Sequence, residues 1–509
     1  MDSKQATVAI LTLLSPLPGL AQTSQTAPQT PPAAPSPPPA RTMVLSLSDA
    51  LSIALGESDT VWVAEAGVMR AVGNEKIARS GFFPQVSGSA DYTRTLRSQY
   101  SGISFGSTGG AGSGLSSLPF FQVNQYTLGL NLSQLVFDGF QTPARNREAL
   151  ARRRSADLDV TAARAQTELD VTSAYFDALL SDQLVDIAQS SLGQTEEVLH
   201  QAEVGQNVGT QAEFDVLRAR VTRDNQLPVL IQRRNDRVFA YARLKQLLNM
   251  PLSYDVRLTT GVEDLDPRFA AVSDLSAAER SAVRQAEENV TASREQVTEA
   301  RGQRLPSISF SSRYSPVAYP ASGVPRVSDF REDWTVSLSL SVPILTWGRL
   351  KGNELVARGN LSEAQARLRQ SVKAAELDAL SSRNDLERAQ AFLQSNTSTV
   401  EQAQRAYSIA QIRLREGIGS QIEMTDARLQ LEQAAVNRAQ ALRDVQVARA
   451  RLALLRDLPL GQSATPSTTP VQTTQQSGQP AAASTGASPV SAGGGTTPGL
   501  PTGTPGSPP

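Results

Sequence analysis

The chain has 509 residues, with 48 Lys and Arg against 49 Asp and Glu, one His and no Cys. A formal charge of -1 lacks the basic footprint of a nucleic-acid binder. Without Cys there are no disulfides, thiolate metal sites or cysteine nucleophiles, and a single His leaves little room for zinc chemistry or a His-dependent triad. The residues therefore point away from an enzyme, and no cofactor or metal is expected.

At the N-terminus a short apolar stretch, residues 5–20, follows Lys4, and Gly19 and Ala21 supply small residues before Gln22. This pattern predicts a secretory signal peptide over 1–21. Residues 22–42 follow as a Pro-rich linker, with seven Pro between Pro28 and Pro39. At the other end, residues 459–509 carry no charged side chain and are mostly Pro, Gly, Ser, Thr, Ala and Gln. Such a tail buries too little apolar surface to offset its ordering entropy, so it is expected to be disordered.

Between these ends one unit is written twice. Phe83-Pro84-Gln85-Val86 recurs 222 residues later as Leu305-Pro306-Ser307-Ile308. Tyr126-Thr127-Leu128-Gly129-Leu130 recurs at a spacing of 208 as Trp334-Thr335-Val336-Ser337-Leu338, and Val208-Gly209-Thr210 at 210 as Ile418-Gly419-Ser420. The drop from 222 to 208 assigns extra residues to the first copy, in the Gly- and Ser-rich loop 101–117. The copies are expected over 43–270 and 271–458.

Within each copy the order is helix, strand, loop, strand and long helical hairpin. Strands are expected near 84–97, 122–137, 306–319 and 332–345. Tyr126, Leu128, Leu130 and Leu132 alternate with Thr127, Gly129, Asn131 and Ser133. Trp334, Val336, Leu338, Leu340, Val342 and Ile344 do so with Thr335, Ser337, Ser339 and Ser341. An apolar face backed by small polar residues suits a transmembrane β-strand around a wet lumen. Of 26 aromatic residues, 16 lie in 82–140 and 305–347. The hairpins, 141–249 and 349–458, have the opposite character. Their leading helices, rich in Ala, Gln, Arg and Glu, would each run close to 100 Å at about 1.5 Å per residue, too long for a globular interior. Pro228 is expected to kink or break the helix returning from the first turn. His200 is expected in solvent, and Arg152-Arg153-Arg154 on a solvated helix face.

Taken together, the duplicated strand–loop–strand and hairpin unit, Phe-Pro-Gln-Val, Leu-Val-Phe-Asp-Gly at 135–139, Pro-Ile-Leu-Thr-Trp-Gly at 343–348 and the Val-Gly-Thr and Ile-Gly-Ser turns resemble the TolC family of outer membrane efflux proteins. The resemblance covers about residues 45–458. It implies an α+β membrane protein, a homotrimer in which each chain gives four strands to one twelve-stranded barrel continuous with a periplasmic helical barrel. Four strands cannot close a membrane barrel alone, since the smallest single-chain forms have about eight. The implied function is a passive exit duct of a tripartite efflux or type I secretion system, in the outer membrane and extending into the periplasm. Its implied partners are outer membrane lipid, a periplasmic adaptor and an inner-membrane transporter, the last supplying energy because no phosphate-binding loop is present. An alternative is a barrel-anchored coiled-coil protein of structural or adhesive function.

The resemblance also carries site residues. Loops 98–121 and 320–331 would face outside the cell, and the two tip turns would meet the adaptor through Val208, Gly209, Thr210, Ile418, Gly419 and Ser420. Glu423 and Asp426, three apart after the second turn, match the acidic positions that line the periplasmic gate, and Asp215 resembles an acidic residue of the closed-state lock. The Tyr and Arg that complete that lock are missing, since aligned on Gly417 their places hold Leu414 and Gly419. Arg428, about 200° round the helix from Asp426, is expected to face outward.

Overall fold

The computed structural model describes residues 42–97, 123–264, 269, 276–320 and 323–461. The expected signal peptide, the Pro-rich linker up to residue 41, the whole loop 98–121 and all but the start of the tail lie outside them.

The elements in chain order are β1 (Thr42–Leu45), α1 (Leu47–Glu57), α2 (Asp59–Ser80), β2 (Gln85–Arg94), β3 (Asn124–Phe137), α3 (Gln141–Asn207), α4 (Glu213–Leu247) and β4 (Asp255–Leu258). They continue with α5 (Ser281–Gly302), β5 (Ser307–Tyr314), β6 (Val317–Ala318), β7 (Phe330–Arg331), β8 (Trp334–Ser341), α6 (Arg349–Arg415) and α7 (Gln421–Leu454). Helices α3 and α6 each have 67 residues and start 208 apart, as do α4 and α7. Helices α2 and α5 each have 22 residues and start 222 apart.

Strands β2, β3, β5 and β8 form an antiparallel sheet in that order. Short β6 continues the partner of β3 beyond Ser315 and Pro316, and β7 pairs with β6. Pro316 explains the interruption, because a proline lacks the N–H that a ladder needs. Strand β8 stops at Ser341, short of the expected 345, for the same reason at Pro343. Cross-strand partners share a face, and one face carries Val86, Leu132 and Val336 in one row and Leu130, Tyr314 and Trp334 in the next. The opposite face is small and polar. Ser133, Ser311 and Ser337 line up across three strands, and the Ser311 and Ser337 hydroxyls are 2.7 Å apart. The apolar side chains of β8 are exposed, Trp334 at 73%. A face that greasy is stable only against lipid or protein.

Below the sheet the helices form a layer. α2 and α5 flank α3 near the sheet, α4 and α7 flank it farther away, and α6 packs against α5 and α7. The charged run after Ala151 bridges this layer: Arg152 pairs with Glu148, Arg153 with Glu75 of α2 at 3.0 Å, and Arg154 with Glu288 of α5. Burial works to raise the Glu354 carboxyl, but hydrogen bonds from Arg358 and Arg301 and the charge of Arg304 outweigh it and hold it below the usual range. Helix α4 runs on through Pro228 without the break expected there.

The main core lies midway, where β1 and β4 pair in parallel beside α1. Leu45, Leu51, Val171, Phe176, Leu244 and Leu248 meet there. Tyr175 donates its hydroxyl to the Leu45 carbonyl at 3.2 Å and accepts from the Thr260 N–H at 3.0 Å. At the same level Arg280, only 1% exposed, reaches Asp378 at 2.9 Å and the Leu458 carbonyl at 3.2 Å. Arg451 takes the other Asp378 oxygen at 3.0 Å. One carboxylate thus ties α5, α6 and α7 together. In the first copy Asp170 and Arg243 stand at the positions of Asp378 and Arg451, and Ser58 at that of Arg280. There burial raises the Asp170 carboxyl above its ordinary value, opposed by a hydrogen bond from Gln166 and the Arg243 charge.

Removing one partner of a buried ion pair leaves the other charge uncompensated, at about 3–5 kcal/mol. Asp378→Ala, which strands two guanidinium groups, is therefore expected to lower the denaturant midpoint of the helical circular dichroism signal by that equivalent. An exposed-pair control, Glu363→Ala on α6, is expected to change it by less than about 1 kcal/mol.

Candidate functional site at the helical tip

Both long hairpins turn through the same backbone motif. In the first, the Thr210 N–H donates to the Gly205 carbonyl at 2.9 Å and the Gly209 N–H to Gln206 at 3.0 Å. In the second, the Ile418 N–H donates to Arg413 at 3.0 Å and the Gly417 N–H to Leu414 at 3.1 Å. This crossed pair of bonds closes a helix with a left-handed residue after the cap. That residue is Gly209 at φ 77° in one turn and Gly417 at φ 76° in the other. The turns are therefore 208 residues apart, and the partner of Gly209 is Gly417 rather than Gly419. The likeness of Val-Gly-Thr to Ile-Gly-Ser at 210 is out of register by two.

Packing explains why the sequence misleads here. Gly419 occupies the place of Gln211, and each donates its N–H to the same helix position, Arg413 or Gly205. A Cβ on Gly419 would lie 3.0 Å from the Arg413 carbonyl carbon, and one on Gly205 would lie 2.9 Å from the Gln211 side chain. The close approach requires a glycine on one side of the contact. The first turn places it on the helix, the second in the loop.

Around the turns the expected contact residues divide. Val208 and Ile418 are exposed, as are Phe214 and Ile422 on the following helices. Thr210 is also exposed and donates its hydroxyl back to Gly205 at 3.0 Å. Ser420 caps α7, its hydroxyl accepting from the Glu423 N–H at 3.2 Å, whereas Ala212 at the matching position has no side chain to cap α4. Gly419 and Ser420 line a groove of about 740 Å³ between the hairpins, together with Glu197, Asp215, Gln411 and Met424. Tyr407 and Met424, packed with Ala410 behind them, form its apolar floor.

The acidic residues are not gathered in one place. Asp215 is half-buried and faces the groove. Glu423 and Asp426 are exposed one turn apart on α7, and Asp215 and Glu423 are equivalent positions in the two copies. Sequence reasoning missed Arg413, which pairs with Glu423 at 3.2 Å across the turn. Asp426 accepts from Gln430 of the next turn, at 3.0 Å. Arg428 does not face outward as expected. It is buried against α3, donating to Ser191 and pairing with Glu432 at 3.0 Å, and Gln226 of α4 reaches the same carboxylate at 3.0 Å. A charge that can be shared among three helices outweighs solvation of the lone side chain. His200 is exposed.

A side chain in the left-handed region costs about 1–2 kcal/mol. Gly209→Ala and Gly417→Ala are each expected to speed amide hydrogen exchange at their own turn by the corresponding about 5- to 30-fold, leaving exchange in α3 and α6 near the sheet unchanged.

Known proteins resemble this chain over both of its copies. Residues 50–250 and 272–456 match the outer membrane efflux protein family. The pyoverdine export outer membrane protein OpmQ of Pseudomonas putida is 26% identical over 52% of this chain and 56% of its own length. Nodulation protein T of Rhizobium leguminosarum bv. viciae is 24% identical over 60% of this chain and 63% of its own. The chain thus matches less than two thirds of the length of either relative. In fold it is similar to the Campylobacter jejuni CmeC outer membrane channel, with a TM-score of 0.68 at 17% identity over 82% of this chain and 86% of that one. The match over both copies makes this chain a member of the outer membrane efflux protein family, with the α+β fold of the TolC-like channels.

Proposed function

We propose that three copies of this chain close into one twelve-stranded barrel and one helical barrel, and that the assembly is the passive exit duct of a tripartite efflux or type I secretion system. The observation that carries this reading is the sheet. It has a lipid-type face, a serine-lined opposite face and two edge strands, β2 and β8, whose outer edges pair with no other strand among the described residues. In hydrocarbon each unpaired backbone group costs several kcal/mol, so only a closed barrel is stable there. The export named for one relative supports a duct.

The tip is the periplasmic end on this reading. Val208, Gly209, Thr210, Ile418, Gly419 and Ser420, together with the groove beside them, receive a periplasmic adaptor, and an inner-membrane transporter drives transport. Gly209 shapes its turn while Gly419 lines the groove, so the two glycines serve differently. Glu423 and Asp426 line the entrance as stacked acidic rings, Asp215 standing back in the groove. Arg413 offsets the Glu423 ring, leaving Asp426 as the stronger attractor of cations. A barrel-anchored stalk or adhesin has no need of hairpins that return from a tip.

Planar-bilayer recording of the purified full chain tests this. Discrete conducting steps with cation preference and block by a trivalent cation such as hexamminecobalt are expected. Glu423→Gln combined with Asp426→Asn is expected to weaken both preference and block, and Arg413→Gln to strengthen them. A protein that inserts without conducting overturns the duct, and unaltered block in the double variant removes these residues from the entrance.

A further inference from the structure

The internal repeat specifies how neighbouring copies meet. The hairpin β2–β3 pairs Gln85 with Ser133 and Arg94 with Asn124. Moving the first strand forward by 222 and the second by 208 gives Ser307 with Ser341 and, from Tyr92 with Tyr126, Tyr314 with Trp334, which is the observed register of β5–β8. The helices obey the same shifts, so the two copies are equivalent to the residue. Inside the chain the copies join through β3 and β5, where Leu130 pairs with Tyr314, Asn131 with Arg313, Leu132 with Ser312 and Ser133 with Ser311. Among the described residues the edge strands of the four-stranded sheet β2–β3–β5–β8 are β8, the equivalent of β3, and β2, the equivalent of β5.

We infer that β8 of one copy pairs antiparallel with β2 of the next in the register of the internal β3–β5 junction, shifted forward by 208 and back by 222. Leu338 then lies opposite Tyr92, Ser339 opposite Asp91, Leu340 opposite Ala90 and Ser341 opposite Ser89. The inference rests on the closed-trimer reading and adds its register. Both faces come out correctly: Leu338, Tyr92, Leu340 and Ala90 continue the lipid side, and Ser339, Asp91, Ser341 and Ser89 the polar side. An edge shifted by one residue would place Asp91 beside Leu338 or Leu340 in lipid, because side chains alternate along a strand.

The helices below agree. Inside the chain α3 meets α5 through Arg145–Glu299 at 2.6 Å, Arg147–Glu295 at 3.0 Å and Glu148–Gln296 at 2.9 Å. The same shifts bring α6 of one copy to α2 of the next with Asn353 at Ile77, Leu355 at Gly73 and Val356 at Asn74. The charged residues of these three contacts, Arg145, Glu299, Arg147, Glu295 and Glu148, all have uncharged counterparts here. Ile77, Leu355 and Val356 are all exposed in the single chain, and the space over Gly73 is open. An apolar patch lies where the repeat requires a neighbour.

Because the chain contains no Cys, disulfide trapping needs no background substitutions. Directly opposite residues have Cα atoms about 4.5–5.5 Å apart, within the reach of a disulfide. A two-residue shift moves them to about 7–8 Å, beyond it. The full chain in its membrane is to be oxidised as four double variants. Ser339→Cys with Asp91→Cys, and Ser341→Cys with Ser89→Cys, are expected to give covalent trimers on non-reducing gels. The crossed combinations, Ser339→Cys with Ser89→Cys and Ser341→Cys with Asp91→Cys, are expected to link at least about ten-fold less. Linking in the crossed combinations alone, or in none while light scattering still reports an oligomer, overturns the register. A single-chain mass by light scattering overturns the trimer reading instead.

Discussion

The unpaired edges of β2 and β8 are the constraint on which the rest of this molecule depends. A sheet of four strands with one apolar face leaves a row of N–H and C=O groups at each side. Water can satisfy such groups and lipid cannot. The chain is therefore incomplete as a membrane structure by itself. The helical layer shares this incompleteness, with exposed apolar side chains on α2, α4 and α6 such as Ile77, Phe214 and Phe392. Both halves ask for neighbours at the same two sides, as a closed ring of copies would supply.

On the proposed reading, duplication is how the sequence builds such a ring economically. The same hairpin geometry serves twice, yet the copies have diverged where their surroundings differ. At mid-height the second copy ties three helices through Arg280, Asp378 and Arg451, while the first places Ser58 where Arg280 stands. At the tip the obligatory glycine of the close contact moved from helix to loop, from Gly205 to Gly419. Only the second turn caps its next helix with a serine and braces its acidic residue with Arg413. The two hairpin tips are thus alike in backbone and unlike in chemistry.

Much of the fold was legible because membrane strands write their alternation openly. Leu128, Leu130 and Leu132 against Gly129, Asn131 and Ser133 assign faces without any tertiary information, and Pro-free runs of more than sixty residues assign long helices. The parallel pair β1–β4 was not legible, being four residues each and stabilised by a core assembled from distant helices. The tip was misaligned by two residues because local similarity around a glycine outweighed a conformational requirement that only φ reveals. Arg428 was misplaced because helix geometry alone cannot show that Ser191, Glu432 and Gln226 converge on it. Charged groups are the hardest to place from sequence, since their positions are decided by partners far away in the chain.

The most direct test of closure through several copies is native mass spectrometry of the full chain extracted in detergent, with circular dichroism on the same sample. Three copies per particle, with loss of the β-sheet signal whenever single chains are released, is the result this account predicts. A monodisperse single chain that keeps its full sheet signal would contradict it, since the edges of β2 and β8 would then be satisfied without a neighbour.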